Sequence, residues 1–178
     1  MEQSPGDSIT IRPFVEADSL QVRDLFITIN RTLSPPDLRD ALEEYIARAL
    51  VDEIDRIGAY YTEREGGFWV AVSGARLVGT FGLERASAES MELRCMYVEP
   101  STRRKGVGRA MLLFAEDECR RRNIDRLELS TAEIQTAALG MYRNAGYKLV
   151  KIEMAETLSN KTVGGGLRRH FFEKILNP

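Results

Sequence analysis

The residues best suited to chemistry lie in one short stretch, Arg103, Arg104, Lys105, Gly106, Val107, Gly108 and Arg109, where an apolar strand pattern runs into an amphipathic helical one. A helix N-terminus presents unpaired N–H groups and about half a positive charge, so an anion is stabilised there when the backbone can approach it. Glycine permits that approach. Each glycine otherwise costs roughly 0.5–1 kcal/mol against alanine in an opening helical turn, and a ligand contact would explain the choice. The cations at 103–105 oppose the helix dipole unless a diphosphate sits between them. No lysine followed by Ser or Thr closes the run as a P-loop requires, and the third glycine of a dinucleotide fingerprint is missing. A solvated basic face is the competing reading of the same residues.

Other reactive side chains are sparse. Cys95 and Cys119 fall in a strand pattern and a helix pattern respectively, so both are read as buried free thiols. The single histidine, His170, is remote from either cysteine in sequence, which disfavours a thiolate nucleophile and leaves no metal ligand set, so we expect no metal.

The chain that must position these groups has 178 residues, of which 43% are apolar and 29% charged, the balance of an ordinary globular domain. We read residues 1–178 as one domain with enough chain to bury a core. With 25 basic and 27 acidic residues the net charge is -2, so no long-range positive field gathers nucleic acid or an anionic membrane. Residues 1–7 carry no basic start followed by an apolar stretch, and no apolar run is long enough to span a bilayer. A cytoplasmic location is the resulting expectation.

Periodicity predicts a strand over 9–14, a helix over 15–30 with Leu20, Phe26 and Ile29 on its apolar side, and a second helix over 38–52 capped by Asp37. Two β-rich runs, 68–73 and 77–83, flank Gly74 and Ala75 as a hairpin. A strand over 91–98 precedes a long helix over 103–122, and a strand over 126–130 leads to a helix over 136–144 stopped by Gly146. That last unit reads as a crossover with parallel strands on either side. Strands over 147–154 and 168–176 follow, joined by a loop with Gly164, Gly165 and Gly166 that we read as mobile. Tyr60, Tyr61, Phe68 and Trp69 are core or cleft wall, and Phe171 with Phe172 suggests a packed terminal strand, with a homodimer contact as a further expectation.

At this point the sequence resembles the GNAT superfamily of N-acetyltransferases. Its Gln/Arg-x-x-Gly-x-Gly/Ala signature is matched by Arg103, Gly106 and Gly108, its central strand by residues 91–98, and its Ala-x3-Tyr-x3-Gly-Phe/Tyr helix by Ala138, Tyr142, Gly146 and Tyr147. The strong part of the resemblance covers residues 77–149. It implies an α/β mixed fold, a splayed mixed sheet of about six to seven strands with about four helices, and acyl-CoA wedged between the strand ending at Val98 and the next one. Backbone groups of Met96, Tyr97 and Val98 would then hold the pantetheine arm and acetyl carbonyl, and amides from Lys105 to Arg109 the pyrophosphate. Gln135 stands where many members carry a cofactor-contacting asparagine, and the amide chemistry is kept.

The implied reaction is transfer of an acetyl group from acetyl-CoA to an amine, which needs a proton acceptor, because presenting an amine of pKa ~10.4 neutral at pH 7 costs roughly 4–5 kcal/mol. The resemblance implies Tyr142 as general acid toward the departing thiolate and Glu92 as candidate base, with Glu84 and Glu128 as lesser candidates. The amine would be a small molecule or a peptide. A longer acyl donor, or an acyl-CoA-binding module without turnover, are the alternatives left open.

Overall fold

Phe68 and Val70 point to one face of a strand and Trp69 and Ala71 to the other, and all four are buried, so this strand has to be covered on both sides. The computed structural model, which describes residues 8–177, shows how. Seven strands, β1 (Ile9–Pro13), β2 (Gly67–Ser73), β3 (Arg76–Arg85), β4 (Ser90–Val98), β5 (Arg126–Ala132), β6 (Lys148–Met154) and β7 (Arg168–Ile175), form one sheet in the order β1-β2-β3-β4-β5-β7-β6. Helices α1 (Ser19–Leu33), α2 (Arg39–Asp52) and α3 (Ile57–Glu63) pack on the face of Phe68 and Val70. Helices α4 (Val107–Arg121) and α5 (Thr136–Asn144) pack on the face of Trp69 and Ala71.

The expected α/β mixed class, strand number and element order agree with this architecture. Four details differ. Residues 57–63, where periodicity predicts no element, form α3, because Ile57, Tyr60 and Tyr61 bury one face of a short helix. Asp37 caps nothing: it sits in a 3-10 turn, Pro36–Leu38, ahead of α2. Leu20 is exposed, and Val22 and Leu25 take the buried stripe with Phe26 and Ile29. The unit after β5 brings its next strand parallel to β5 in direction but not adjacent, because β7 inserts between β5 and β6 and pairs antiparallel with each.

Two local features set up the site. First, β4 and β5 pair in parallel only from Ser90↔Arg126 to Leu93↔Leu129, after which they separate. The β5-side backbone groups of β4 beyond Leu93 therefore have no strand partner. Second, β4 bulges: Thr80 of β3 lies opposite Tyr97 and Gly82 opposite Arg94, Cys95 takes a left-handed φ of 48°, and the Thr80 hydroxyl donates to the Cys95 carbonyl at 2.9 Å. The bulge reverses the alternation. Met91 and Leu93 share the α4 face with Met96 and Val98, whereas Cys95 and Tyr97 turn to the α1–α3 face that Glu92 and Arg94 occupy by alternation.

The loop between β6 and β7 is packed. Val163 and Leu167 are buried in the core under α1–α3, and Gly164, Gly165 and Gly166 all take positive φ, which lets the chain coil tightly there. These two side chains anchor the loop that carries the three glycines, while Gly165 and Gly166 themselves are exposed. Of the paired aromatics, Phe172 is core at 1% exposure and Phe171 half-buried.

Candidate active site

The separation of β4 from β5 opens a cleft of about 580 Å³, lined from α4 and α5 and, through Ile29 and Leu33, from α1 as well. Its floor and walls come from β4 (Met96, Tyr97, Val98), the turn into α4 (Arg103, Arg104, Gly106), the first turn of α4 (Val107, Gly108, Arg109) and α5 with its preceding residue (Gln135, Met141, Tyr142). Ten of the eleven residues assigned to the cofactor from sequence thus converge. Lys105 does not line the cleft: it is exposed and its amide turns back to the Thr102 carbonyl at 3.4 Å.

The turn into α4 leaves backbone amides able to meet an anion. Arg104 and Gly106 take left-handed φ values of 65° and 79°, and Gly106 is the residue just before the helix, where its carbonyl accepts from the Ala110 amide at 2.9 Å. Among the described residues the amides of Gly106, Val107, Gly108 and Arg109 donate to no backbone carbonyl, so four N–H groups are available at the positive end of a fifteen-residue helix. Gly106 is required by its φ. Gly108 lies where the cleft is narrow: an added Cβ would stand 3.0 Å from the flexible Met141 Sδ and 3.5 Å from Val98 Cγ2.

Tyr142 sits near the deep end. It is buried against Tyr147 and Phe172, with ring centroids 5.9 and 6.1 Å away, and its hydroxyl makes no protein hydrogen bond among the described residues. Burial pushes its pKa up, so the phenol keeps its proton at neutral pH and is a donor there. The helix end that fixes it follows from sequence: Gly146 takes φ 89°, and the Tyr147 amide returns to the Tyr142 carbonyl at 3.1 Å. Gln135 is held by the Thr131 hydroxyl, which donates to its Oε1 at 2.6 Å.

Tyr142, Gln135, Met96 and Tyr97 also line a second, smaller compartment of about 60 Å³, and this is where Glu92 lies. The bulge explains why Glu92 is absent from the large cleft. Unbroken alternation would have put it on the face of Met96 and Val98; one extra residue puts it on the other. Its Oε2 is held by Lys161 at 2.7 Å, and its Oε1 stands 3.9 Å from Arg94.

Glu84 and Glu128 are in register with Glu92 on the neighbouring strands, and Glu173 extends the row. Glu84 is spent as a base. Burial alone would raise its carboxyl, but Lys161, then Arg94 and the Tyr60 hydroxyl, outweigh that and hold it below the usual range. Glu128 is paired with Arg126 at 2.9 Å.

Beneath this row sits a buried ion pair that sequence reading missed. Arg94, 7% exposed, donates to Glu53 at 2.5 Å, and the same carboxylate accepts from Tyr61 at 2.6 Å, Asn160 at 3.0 Å and Cys95 Sγ at 3.1 Å. Desolvation, followed by the charge of Glu53, raises the Cys95 thiol well above its ordinary value, so it is no nucleophile. His170 shares the face of Phe172, away from Cys95, by the alternation of β7.

Comparison with known proteins bears on the family and the fold. N-acetylaspartate synthetase of Danio rerio is 30% identical over 137 residues, 76% of this chain and 48% of its own length. Human N-acetyltransferase 8 is 28% identical over 111 residues, 59% of this chain and 49% of its own. The chain spans about half the length of these curated relatives. The solved PaiA N-acetyltransferase of Thermoplasma acidophilum, in complex with coenzyme A, is 20% identical, covers 94% of this chain and 99% of that one, and superposes with a TM-score of 0.71, which shows the shared fold. Residues 29–147, well over half of the chain, match the Acetyltransferase (GNAT) family, and the chain belongs to the GNAT acetyltransferases.

Proposed function

We propose that this chain transfers an acetyl group from acetyl-CoA to a primary amine by direct attack in a ternary complex. The observation that carries the reading is one continuous cleft running from the free amides at the start of α4, along the unpaired edge of β4, to the Tyr142 hydroxyl. Relatives named for N-acetyl transfer support the reaction class.

In this reading the amides of residues 106–109 grip the pyrophosphate, with Arg103, Arg104 and Arg109 supplying charge around it. Edge groups of Met96, Tyr97 and Val98 hold the pantetheine arm and orient the acetyl carbonyl, while Gln135 closes the far side. Aligning the reactants is most of the work, since the thioester is already activated. The amine nitrogen bonds to the carbonyl carbon and its proton passes to Glu92, directly or through a water; the Oε1 atom, free of Lys161, is the acceptor. The carbon–sulfur bond then breaks, the sulfur leaves with the electron pair, and Tyr142 gives it a proton.

A thiol-release assay with acetyl-CoA and longer acyl-CoA donors against a panel of amines tests this. Turnover with acetyl-CoA and at least one amine is expected; CoA binding without turnover on any acceptor would leave a binding module and end the enzyme reading. Gly108→Val probes the cofactor half alone. Its branched side chain enters the cleft toward Met141 and Val98, so calorimetry should show CoA affinity reduced at least about tenfold, with the melting temperature shifted by only a few degrees. Unaltered affinity would place the pyrophosphate elsewhere.

Glu92→Gln gives a third expectation. It keeps the shape and a hydrogen bond to Lys161 but cannot take a proton, so kcat should fall by about two orders of magnitude near pH 7 and recover partly at high pH, where the amine arrives neutral. A pH–rate profile identical to that of the unaltered protein would remove Glu92 from the mechanism.

A further inference from the structure

Resting on the acetyl-transfer reading, the small compartment beside Tyr142 indicates what kind of amine arrives. Its charged lining comes from two strands and a loop: Glu92 and Arg94 from β4, Arg169 from β7 and Lys161 from the loop before it. Most of that charge is internally matched. Arg94 is taken by Glu53, and Lys161 bridges Glu84 and Glu92.

Arg169 is different. It is half-buried, its Nη2 donates to the Ser130 carbonyl at 3.2 Å and to the Ser130 hydroxyl at 2.8 Å, and it makes no ion pair among the described residues. The acid opposite it in register, Glu153 of β6, pairs with Lys151 at 2.7 Å instead. Ser130 thus fixes one arm of the guanidinium, and the fork keeps further donors in a space that Tyr142 also lines. Desolvation lowers the pKa of Arg169 from its ordinary value, the sign of a cation drawn out of water without full compensation. A half-buried guanidinium with no carboxylate of its own, next to the reacting centre, is matched by a carboxylate that the acceptor carries.

We propose that the acceptor is an amino acid, or a molecule ending in one, whose carboxylate is bound by Arg169 while its amine faces Glu92 and Tyr142. The separation of charges fits a zwitterion: an acid on β4 and an unpaired cation on β7 line one compartment of about 60 Å³. A space so small admits the carboxylate and the carbon or two joining it to the nitrogen, and leaves the remainder of the molecule outside. An amine at the end of a long lysine side chain brings no carboxylate within that reach. Arg169 is in this account a binding and positioning residue, not a proton carrier.

The test compares, in the thiol-release assay, several L-amino acids with their primary amides and with the amines formed by removing the carboxylate. The expected result is a kcat/KM for the acids higher by about 10- to 100-fold, since a site built around a charged partner rejects the analogue lacking it. Arg169→Met should raise KM for the acids much more than it lowers kcat and should erase the preference, and Arg169→Lys should restore part of it. A thermal melt and CoA calorimetry on both variants show whether they fold. Amides and simple amines turned over as well as the acids by the unaltered protein would overturn the proposal, a result that needs no variant. So would an equal loss on acids and amines in a folded Arg169→Met. Absence of thiol release from every acceptor despite CoA binding would instead defeat the acetyl-transfer reading and this proposal with it.

Discussion

Arg94→Met is expected to destabilise the fold by about 3–5 kcal/mol, because it strips the cation from a carboxylate that has no access to water. Glu53 is 0% exposed, and although Tyr61, Asn160 and Cys95 would still donate to it, none of them carries a charge. The loss should be far larger than the net worth of the pair, since most of it is the cost of one buried ion left behind. The paired change Arg94→Met with Glu53→Gln therefore should recover a substantial part. Urea unfolding of the single and double variants measures both quantities. A single variant within about 1 kcal/mol of the unaltered protein would show that the ion pair with Glu53 does not support the fold in this way.

Tyr142→Phe carries the largest expected effect on turnover. The hydroxyl has no protein partner to lose, and the ring keeps its contacts with Tyr147 and Phe172, so stability should be nearly unchanged. If the phenol protonates the leaving sulfur, kcat falls by about 10²–10³-fold while the dissociation constant for CoA stays within a factor of about two. Stopped assays for kcat with calorimetry for CoA separate the two terms. Full turnover in this variant would show that solvent or CoA itself supplies the proton.

Much of this was legible along the chain, and the reason lies in locality. The turn at 103–109 and the Tyr142–Gly146 helix end are short-range structures, written in contiguous residue types. Phe68 to Ser73 reads as one strand of a hairpin from its β-rich residues and the turn at Gly74, which are again contiguous. What could not be read depends on register and on distant segments meeting. The bulge at Cys95 has no glycine to mark it; a left-handed cysteine is held there by Thr80, on another strand. That single residue decides which side of the sheet Glu92 and Tyr97 face. Glu53, Asn160, Lys161 and Arg169 come from the end of α2, the β6–β7 loop and β7, and no spacing links them. The insertion of β7 between β5 and β6 was equally silent, since strand order is not a property of any one strand.

That insertion governs the order of assembly. As the chain leaves the ribosome, β6 emerges before the only strand that can seat it, so Val150, Ile152 and Met154, exposed even in the finished sheet, wait without a neighbour. Strands β2, β3 and β4 can pair early as hairpins close in sequence, while β7, which carries Arg169, joins β5 only after a long intervening stretch of chain. A nascent chain would pair the strands around the start of α4 before the strand that carries Arg169 is available.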